Sequence, residues 1–172
     1  MKIDLSDIEN QARHFDEKLE LQPEILDVEQ IQEAVQVRLE AKVSRTPLGF
    51  SFNGTCHVHG AVCCSRCLES IEWSESEDFS FLAQNTENAP KQDEIGLEEA
   101  DLDIIFIEDS TFDLADLAKE QVLLSLPMRV VCSEECQGLC PSCGKNRNIE
   151  GACRCEAEID PRWDGLRGVT GR

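Results

Sequence analysis

The sequence predicts an α+β fold: an antiparallel β-sheet domain with packed helices, followed by a C-terminal cysteine-rich module. Three observations carry this reading. Residues 35–43 and 50–62 alternate apolar and polar side chains, the mark of strands with one buried face. Residues 6–20 and 113–124 carry apolar side chains at helical spacing, which suits helices laid against that face. Six of the ten cysteines then fall within the 24 residues from Cys132 to Cys155, a stretch with few apolar side chains to build a core.

Residues 6–20 are expected to be a helix. Ser6, with Glu9 three residues on, makes a capping box, and Ile8, Ala12, Phe15 and Leu19 form the inward stripe. Pro23 ends the element. In the clearest strand Val35, Val37, Leu39, Ala41 and Val43 share one face, and Thr46-Pro47-Leu48-Gly49 supplies a turn. Phe50, Phe52, Gly54, Cys56, Val58, Gly60 and Val62 then line one side of a second strand, which makes Cys56 a small buried hydrophobe. His57 and His59 share the opposite face. No thiol or carboxylate is placed beside them by sequence, so they read as surface residues rather than a metal pair.

A third strand carries Ile71, Trp73, Phe79 and Phe81. Glu75 and Glu77 interrupt its apolar face, which predicts a bend or bulge. The segment Cys63-Cys64-Ser65-Arg66-Cys67 therefore caps a hairpin. Residues 84–101 read as an acidic, mobile loop, and residues 104–107 as a short apolar strand. Asp113 or Thr111 caps a helix that turns Leu114, Leu117, Ala118 and Val122 inward, with Leu123 or Leu124. Pro127 stops it, residues 128–131 run extended into Cys132, and Trp163 docks the tail. The expected organisation is residues 1–131 as the antiparallel α+β domain, including the acidic loop 84–101, and residues 132–172 as the cysteine module and tail.

The cysteine spacing points to metal. Cys140-Pro141-Ser142-Cys143-Gly144 is a knuckle, whose tight turn puts both sulfurs on one side. Cys153 and Cys155 are two apart, so in extended chain their sulfurs leave from one face. Cys140, Cys143, Cys153 and Cys155 together suit tetrahedral Zn²⁺ with bonds near ~2.3 Å. Cys132 and Cys136 need partners from elsewhere, and Cys64 with Cys67, a second C-x-x-C pair, supplies them. Spacing alone does not fix connectivity, so the expectation is one or two zinc ions, with Cys63 left over. Four thiolates leave no position for water, which makes such a site structural rather than catalytic.

Disulfides are the alternative, and they need an oxidising compartment. Residues 1–7 contain no apolar h-region and no cleavage signal, so the expectation is a cytoplasmic chain with reduced thiols. A structural zinc contributes on the order of 10–16 kcal/mol of apparent binding energy, enough to fold a module with little core.

Net charge is −19, and it is unevenly spread. Residues 132–172 carry seven acids and six bases, whereas residues 69–109 hold fourteen acids and one base, Lys91. Such a field repels phosphates and attracts lysine and arginine, which disfavours nucleic-acid binding by the N-terminal part. There is no Gly-rich phosphate loop, no Gly-x-Ser-x-Gly elbow and no apolar run long enough to span a membrane.

Cys64-Ser65-Arg66-Cys67-Leu68-Glu69 resembles the C-x-R-C-L motif of the YceD family, which is named for large ribosomal RNA subunit accumulation. Residues 120–127 are similar to its helix-ending motif, residues 132–155 to its C-terminal cysteine motif, and Asp160-Pro161-Arg162-Trp163 to its usual close. The likeness runs from about residue 35 to 166. The chain departs from the pattern at Asn146-Arg147-Asn148, where the family often has Asn-Leu-Asn, and in the additional Cys63. The resemblance implies a cytoplasmic bacterial protein that supports the synthesis, processing or stability of large-subunit (23S) ribosomal RNA. It implies no reaction.

Joined to the charge map, this gives a ribosome-assembly factor that binds and is not an enzyme. Its acidic face would meet a basic ribosomal protein or a large-subunit assembly intermediate. Lys145, Arg147 and Arg154, with Arg162 and Arg167, would be the place for any contact with ribosomal RNA. One rival is a thiol-redox protein using Cys64 and Cys67. That chemistry wants a helix N-terminus and a low-pKa thiol, and here strands flank the motif and acids follow it. The other rival is a zinc-stabilised protein-interaction module with no link to ribosomes.

Overall fold

Period-two patterning extends beyond residues 35–62 and 71–81 to residues 13–21. The computed structural model describes residues 1–9, 11–90, 94, 96, 101–155 and 162. In chain order its elements are β1 (Lys2–Asp4), β2 (Arg13–Leu21), α1 (Pro23–Leu26), β3 (Val35–Thr46), β4 (Gly49–Cys63), β5 (Ser70–Asn85), β6 (Ile104–Ile107), β7 (Thr111–Asp113) and α2 (Leu114–Ser125). Five strands form one sheet in the order β2-β3-β4-β5-β6, and β1 pairs with β7 in a second, two-stranded sheet. The chain divides into two units, Met1–Val62 with Ile71–Met128, and Cys63–Ser70 with Arg129–Arg172.

In the first unit β3 and β4 pair antiparallel from Gln36 opposite His59 to Thr46 opposite Gly49. Their alternating sets, Val35 to Val43 and Phe52, Cys56, Val58 and Val62, are buried as expected. Burying such side chains removes apolar surface from water at roughly 25 cal/mol per Å². The ring of Phe52 lies 4.8 Å from that of Phe81 and 4.5 Å from that of Phe112. Over the same face α2 buries Leu114, Leu117, Ala118 and Val122. Asp113 caps it, its Oδ1 accepting the Ala115 N–H at 3.0 Å.

The other face of this sheet is polar. The guanidinium of Arg38 donates twice to Asp16, at 2.9 and 2.8 Å, and pairs with Glu40 at 2.9 Å. His57 shares a hydrogen bond with Ser76 at 2.9 Å. Among the described residues no helix is long and apolar enough to cross a membrane.

Three expectations need correction. Residues 6–20 are not a helix: Leu5–Asp7 is a single 3-10 turn capped by Asp4, and β2 follows. Phe15 and Leu19 lie four apart, a spacing that satisfies both periods. Nine residues of antiparallel pairing with β3, from Arg13 opposite Val43 to Leu21 opposite Val35, decide for the strand. The packed helices reduce, among the described residues, to α2 and the single-turn α1, and β6 runs parallel to β5, so the main sheet is mixed. Of the bend or bulge expected at Glu75 and Glu77, no bulge falls between Ser76 and Ser80, and β5 runs unbroken from Ser70 to Asn85. Hydrogen bonds from Ser80 to Asn53, from Thr55 to Asp78 and between Ser76 and His57 keep one antiparallel register between β4 and β5. At the start of the expected acidic loop, Gln84 and Asn85 still belong to β5 and Thr86–Asn88 form a 3-10 turn. Most of residues 91–100, and the docking of Trp163, lie outside the described residues.

Candidate metal centres

Among the described residues the second unit contains almost no regular structure, and its turns are built around sulfur. In the turn after β4 the Cys64 N–H donates to the Glu69 carbonyl and the Leu68 N–H to that of Cys64, both at 2.9 Å. Ser65 N–H donates to the Val130 carbonyl at 2.9 Å, which holds the chain entering Cys132 alongside. Arg66 fastens the next loop: its Nη1 donates to the carbonyls of Cys136 at 2.9 Å and Glu134 at 3.3 Å. Its own carbonyl accepts the Leu139 N–H at 2.8 Å. Gly138 sits there at φ +70°, and a Cβ on it would lie 2.8 Å from the Arg66 carbonyl oxygen.

These bonds bring Cys64, Cys67, Cys132 and Cys136 together, with all four sulfurs within 4.8 Å of one another. Cys64 and Cys136 are 3.8 Å apart, Cys67 and Cys132 3.6 Å. Four thiolates placed tetrahedrally about one ion at ~2.3 Å would be separated by ~3.8 Å, so the spacing fits a metal at the centre. The N–H groups of Arg66 and Cys132 each donate to the Cys64 sulfur at 3.4 Å, and Asn148 Nδ2 donates to that of Cys136 at 3.2 Å. Cys64, Cys67 and Cys136 are buried and Cys132 is exposed.

The second group is Cys140, Cys143, Cys153 and Cys155, its sulfurs again within 4.8 Å. The knuckle closes through Gly144 N–H to the Cys140 carbonyl and Cys140 N–H to that of Lys145, both 2.8 Å. Gly144 takes φ +72°, the left-handed conformation that glycine adopts without a Cβ clash. Asn148 lies between this knuckle and Cys153, yet its side chain serves the first group. Its Oδ1 accepts the Gln137 N–H at 2.8 Å, and its own N–H donates to Asn146 Oδ1 at 3.0 Å. None of the ten cysteines is in a disulfide.

The electrostatics of each group are those of crowded thiols. A hydrogen bond with Cys153, then the N–H groups of Cys143 and Ser142, bring Cys140 down to about 5. Hydrogen bonds with Cys143 and Cys153 push Cys155 up to about 12. Burial opposes ionisation of Cys64, but the N–H groups of Arg66, Cys67 and Cys132 outweigh it and bring the thiol down to about 6. For Cys67 the Glu69 N–H pulls downward, while burial and the sulfurs of Cys64, Cys132 and Cys136 push it up to about 12. Each group thus combines thiols shifted down, Cys64 and Cys136 in one and Cys140 in the other, with neighbours shifted up. Four negative sulfurs this close need a cation to ionise together.

Both groups hold the cysteines that sequence paired. Cys63 is buried and in neither group, and His57 and His59 belong to none found among the described residues. The bases fare differently. Lys145 pairs with Glu150 at 3.5 Å. The guanidinium of Arg147 is held charged by hydrogen bonding to Cys140 and then, against some burial, to Cys153. Arg154 and Arg162 are exposed, and Arg167 lies outside the described residues. Sequence reasoning missed the supporting parts played by Arg66 and Asn148. Their signal was position alone: one inside the C-x-x-C, the other five residues past the knuckle.

A family model described as Large ribosomal RNA subunit accumulation protein YceD matches residues 52–169. An uncharacterized protein of Mycobacterium tuberculosis is 30% identical over 145 residues, which cover 82% of this chain and 65% of that one. The uncharacterized protein YlbN of Bacillus subtilis is 28% identical over 165 residues, 94% of this chain and 90% of its own. A Zea mays protein named Large ribosomal RNA subunit accumulation protein YCED homolog 1, chloroplastic, is 30% identical over 61 residues, 36% of this chain and 21% of its own. The matched region thus spans just under two thirds of the length of the mycobacterial relative. No solved structure matches.

Proposed function

Since the chain belongs to the YceD family of large ribosomal RNA subunit accumulation proteins, we propose that it is a cytoplasmic ribosome-assembly factor. It supports the synthesis, processing or stability of 23S ribosomal RNA, and it acts by binding rather than by catalysis. The observation that carries this reading is the family match over residues 52–169, which takes in the C-x-x-C turn and the whole cysteine segment.

Each four-cysteine group takes one Zn²⁺, and all-sulfur tetrahedral sites suit zinc best. Bound there, zinc supplies charge neutralisation and cross-linking. Cys64, Cys67, Cys132 and Cys136 hold one ion, and Cys140, Cys143, Cys153 and Cys155 the other. Arg66 and Asn148 position the first set, and Arg147 neutralises part of the second. The burial of Cys64 and Cys67 favours this scaffold role over thiol exchange, which needs an accessible sulfur.

The acidic first unit favours a basic ribosomal protein or an assembly intermediate rich in such proteins. For contact with ribosomal RNA, Lys145 and Arg147 are committed internally, which leaves Arg154 as the exposed base of the three.

The test is complementation in a bacterial strain lacking its own family member. The wild-type chain restores the ratio of 23S to 16S ribosomal RNA, and Cys140→Ser/Cys143→Ser does not. An unrestored ratio with soluble, zinc-loaded protein refutes the ribosomal role. Arg154→Glu reduces the salt slope of binding to large-subunit precursors by about 1 if that side chain meets a phosphate. An unchanged slope removes the RNA contact.

A further inference from the structure

The two edges of the five-stranded sheet are protected very differently. At one edge β2 carries Arg13, His14, Asp16, Glu17, Lys18 and Glu20, charges of the kind that discourage pairing with another strand. At the other, β6 is Ile104-Ile105-Phe106-Ile107 with no charge at all, and Ile105 and Phe106 are exposed. Among the described residues no strand lies beyond it.

The direction of its free hydrogen-bonding groups can be read from its partners. The Asp103 carbonyl accepts the Leu82 N–H at 2.8 Å, and the Ile107 carbonyl accepts the Thr86 hydroxyl at 3.1 Å. Both therefore face the β5 side. Backbone groups alternate along a strand, so Ile105 faces β5 as well, while the N–H and C=O of Ile104 and Phe106 point outward.

Acids bracket this edge. Asp103 precedes it and Glu108 and Asp109 follow it, all exposed, and no ion pair among the described residues engages them. Beside Ile107 a cavity of about 270 Å³ opens between Arg45, Leu48, Phe50, Ala83 and Asp109, room for one aliphatic side chain. A second copy of the chain is a poor occupant. Antiparallel β6 pairing would set Asp103 of each copy near Glu108 and Asp109 of the other, in molecules each carrying −19.

We propose that the outer edge of β6 receives an extended, lysine- and arginine-flanked segment of a basic protein as an added strand. Backbone hydrogen bonds to Ile104 and Phe106 supply register, and the acids at either end select the charge of the guest. The proposal rests on the ribosomal reading only in naming a large-subunit protein as the source of that segment.

The test uses the full, zinc-loaded chain and a fluorescein-labelled peptide, Lys-Arg-Val-Thr-Val-Thr-Val-Arg-Lys. Its controls are the same peptide with Glu and Asp in place of its bases, and one with a central proline. The basic peptide alone is expected to bind. Phe106→Pro removes an outward N–H without touching the β5 ladder, and weakens binding by at least about tenfold. Phe106→Lys, which keeps the backbone intact, acts in the same direction. Asp103→Lys/Glu108→Lys/Asp109→Lys weakens it by about as much and flattens the salt dependence. Circular dichroism and zinc content stay unchanged in all three variants.

Wild-type affinity in both Phe106 variants, or equal binding of basic and acidic peptides, overturns the proposal. So does a dimer in sedimentation that Phe106→Pro dissolves, which would give the edge to a second copy. Full 23S restoration by a Phe106→Pro chain that no longer binds peptide removes this edge from ribosome assembly and spares the proposed function. Peptide binding by a wild-type chain that fails to restore 23S does the reverse.

Discussion

Asn148 and Arg147 are neighbours in sequence that serve different sulfur cages. Asn148 donates to Cys136 in one, and the charge of Arg147 is favoured by Cys140 and Cys153 of the other. Outer-shell donors of this kind commonly set metal affinity by 10–100-fold. Asn148→Ala is therefore expected to weaken zinc binding at the Cys64 cage by roughly that factor and leave the Cys140 cage near wild type. Arg147→Ala is expected to do the opposite. Chelator competition that resolves the two ions checks both, and equal loss at both cages would contradict the assignment. Glycines make a second pair. Both Gly138 and Gly144 have positive φ, but only a Cβ at Gly138 meets backbone, whereas the space around Gly144 is open. Gly144→Ala should cost about 1 kcal/mol from conformation alone, and Gly138→Ala clearly more. Thermal melts of the zinc-loaded proteins give the order.

At the scale of elements, α2 depends on its cap. Asp113 accepts from Ala115 and, at 2.8 Å, from the Met1 amino group. Asp113→Ala is expected to cost about 1 kcal/mol, read as a lower urea midpoint at neutral pH. The amino-group hydrogen bond first, then that of Ala115, hold its carboxyl below the usual 3.8. The unfolded chain thus takes up this proton before the folded one does. The contribution is complete above about 3.8 and fades as pH falls through the lower folded value. The gap between wild type and Asp113→Ala should therefore narrow in acid, and a gap that widened would refute this reading of the cap. The same cap was legible in sequence, as were β3 and β4, because Val35 to Val43 and Phe52 to Val62 admit one period only. β2 was not, because Phe15 and Leu19 fit two periods and the choice lies in pairing with β3, a contact local spacing does not contain. The cysteine cages were legible in membership. Their outer shell was not, since an arginine or asparagine that bonds a loop carbonyl or a sulfur looks in sequence like any surface polar residue.

For the whole molecule, the division of labour between oil and sulfur predicts how it comes apart. The first unit buries the β3, β4 and α2 apolar sets, whereas among the described residues the second has Val130 and cysteines as its buried apolar residues. Exhaustive chelation should unfold residues 129–155 and the 63–70 turn while the five-stranded sheet persists. Hydrogen exchange mapped by peptide would show it, and uniform loss of protection would contradict it. Elemental analysis should give two zinc ions per chain. Because the ligands must be deprotonated, zinc affinity should fall steadily as pH drops below neutrality. Chelation at pH 6 should accordingly be faster than at pH 8.

The first cage joins residues far apart in the chain: Cys64 and Cys67 sit at one turn, and Cys136 comes about seventy residues later. During synthesis at 5–20 residues per second, the earlier two thiols wait about 3–14 s for their partners to be made. Through that interval they stand open to oxidants and stray copper while β4 and β5 are already zipping together. Zinc starvation should consequently spoil newly made chains far more than finished ones, an asymmetry that pulse labelling before and after metal withdrawal would expose.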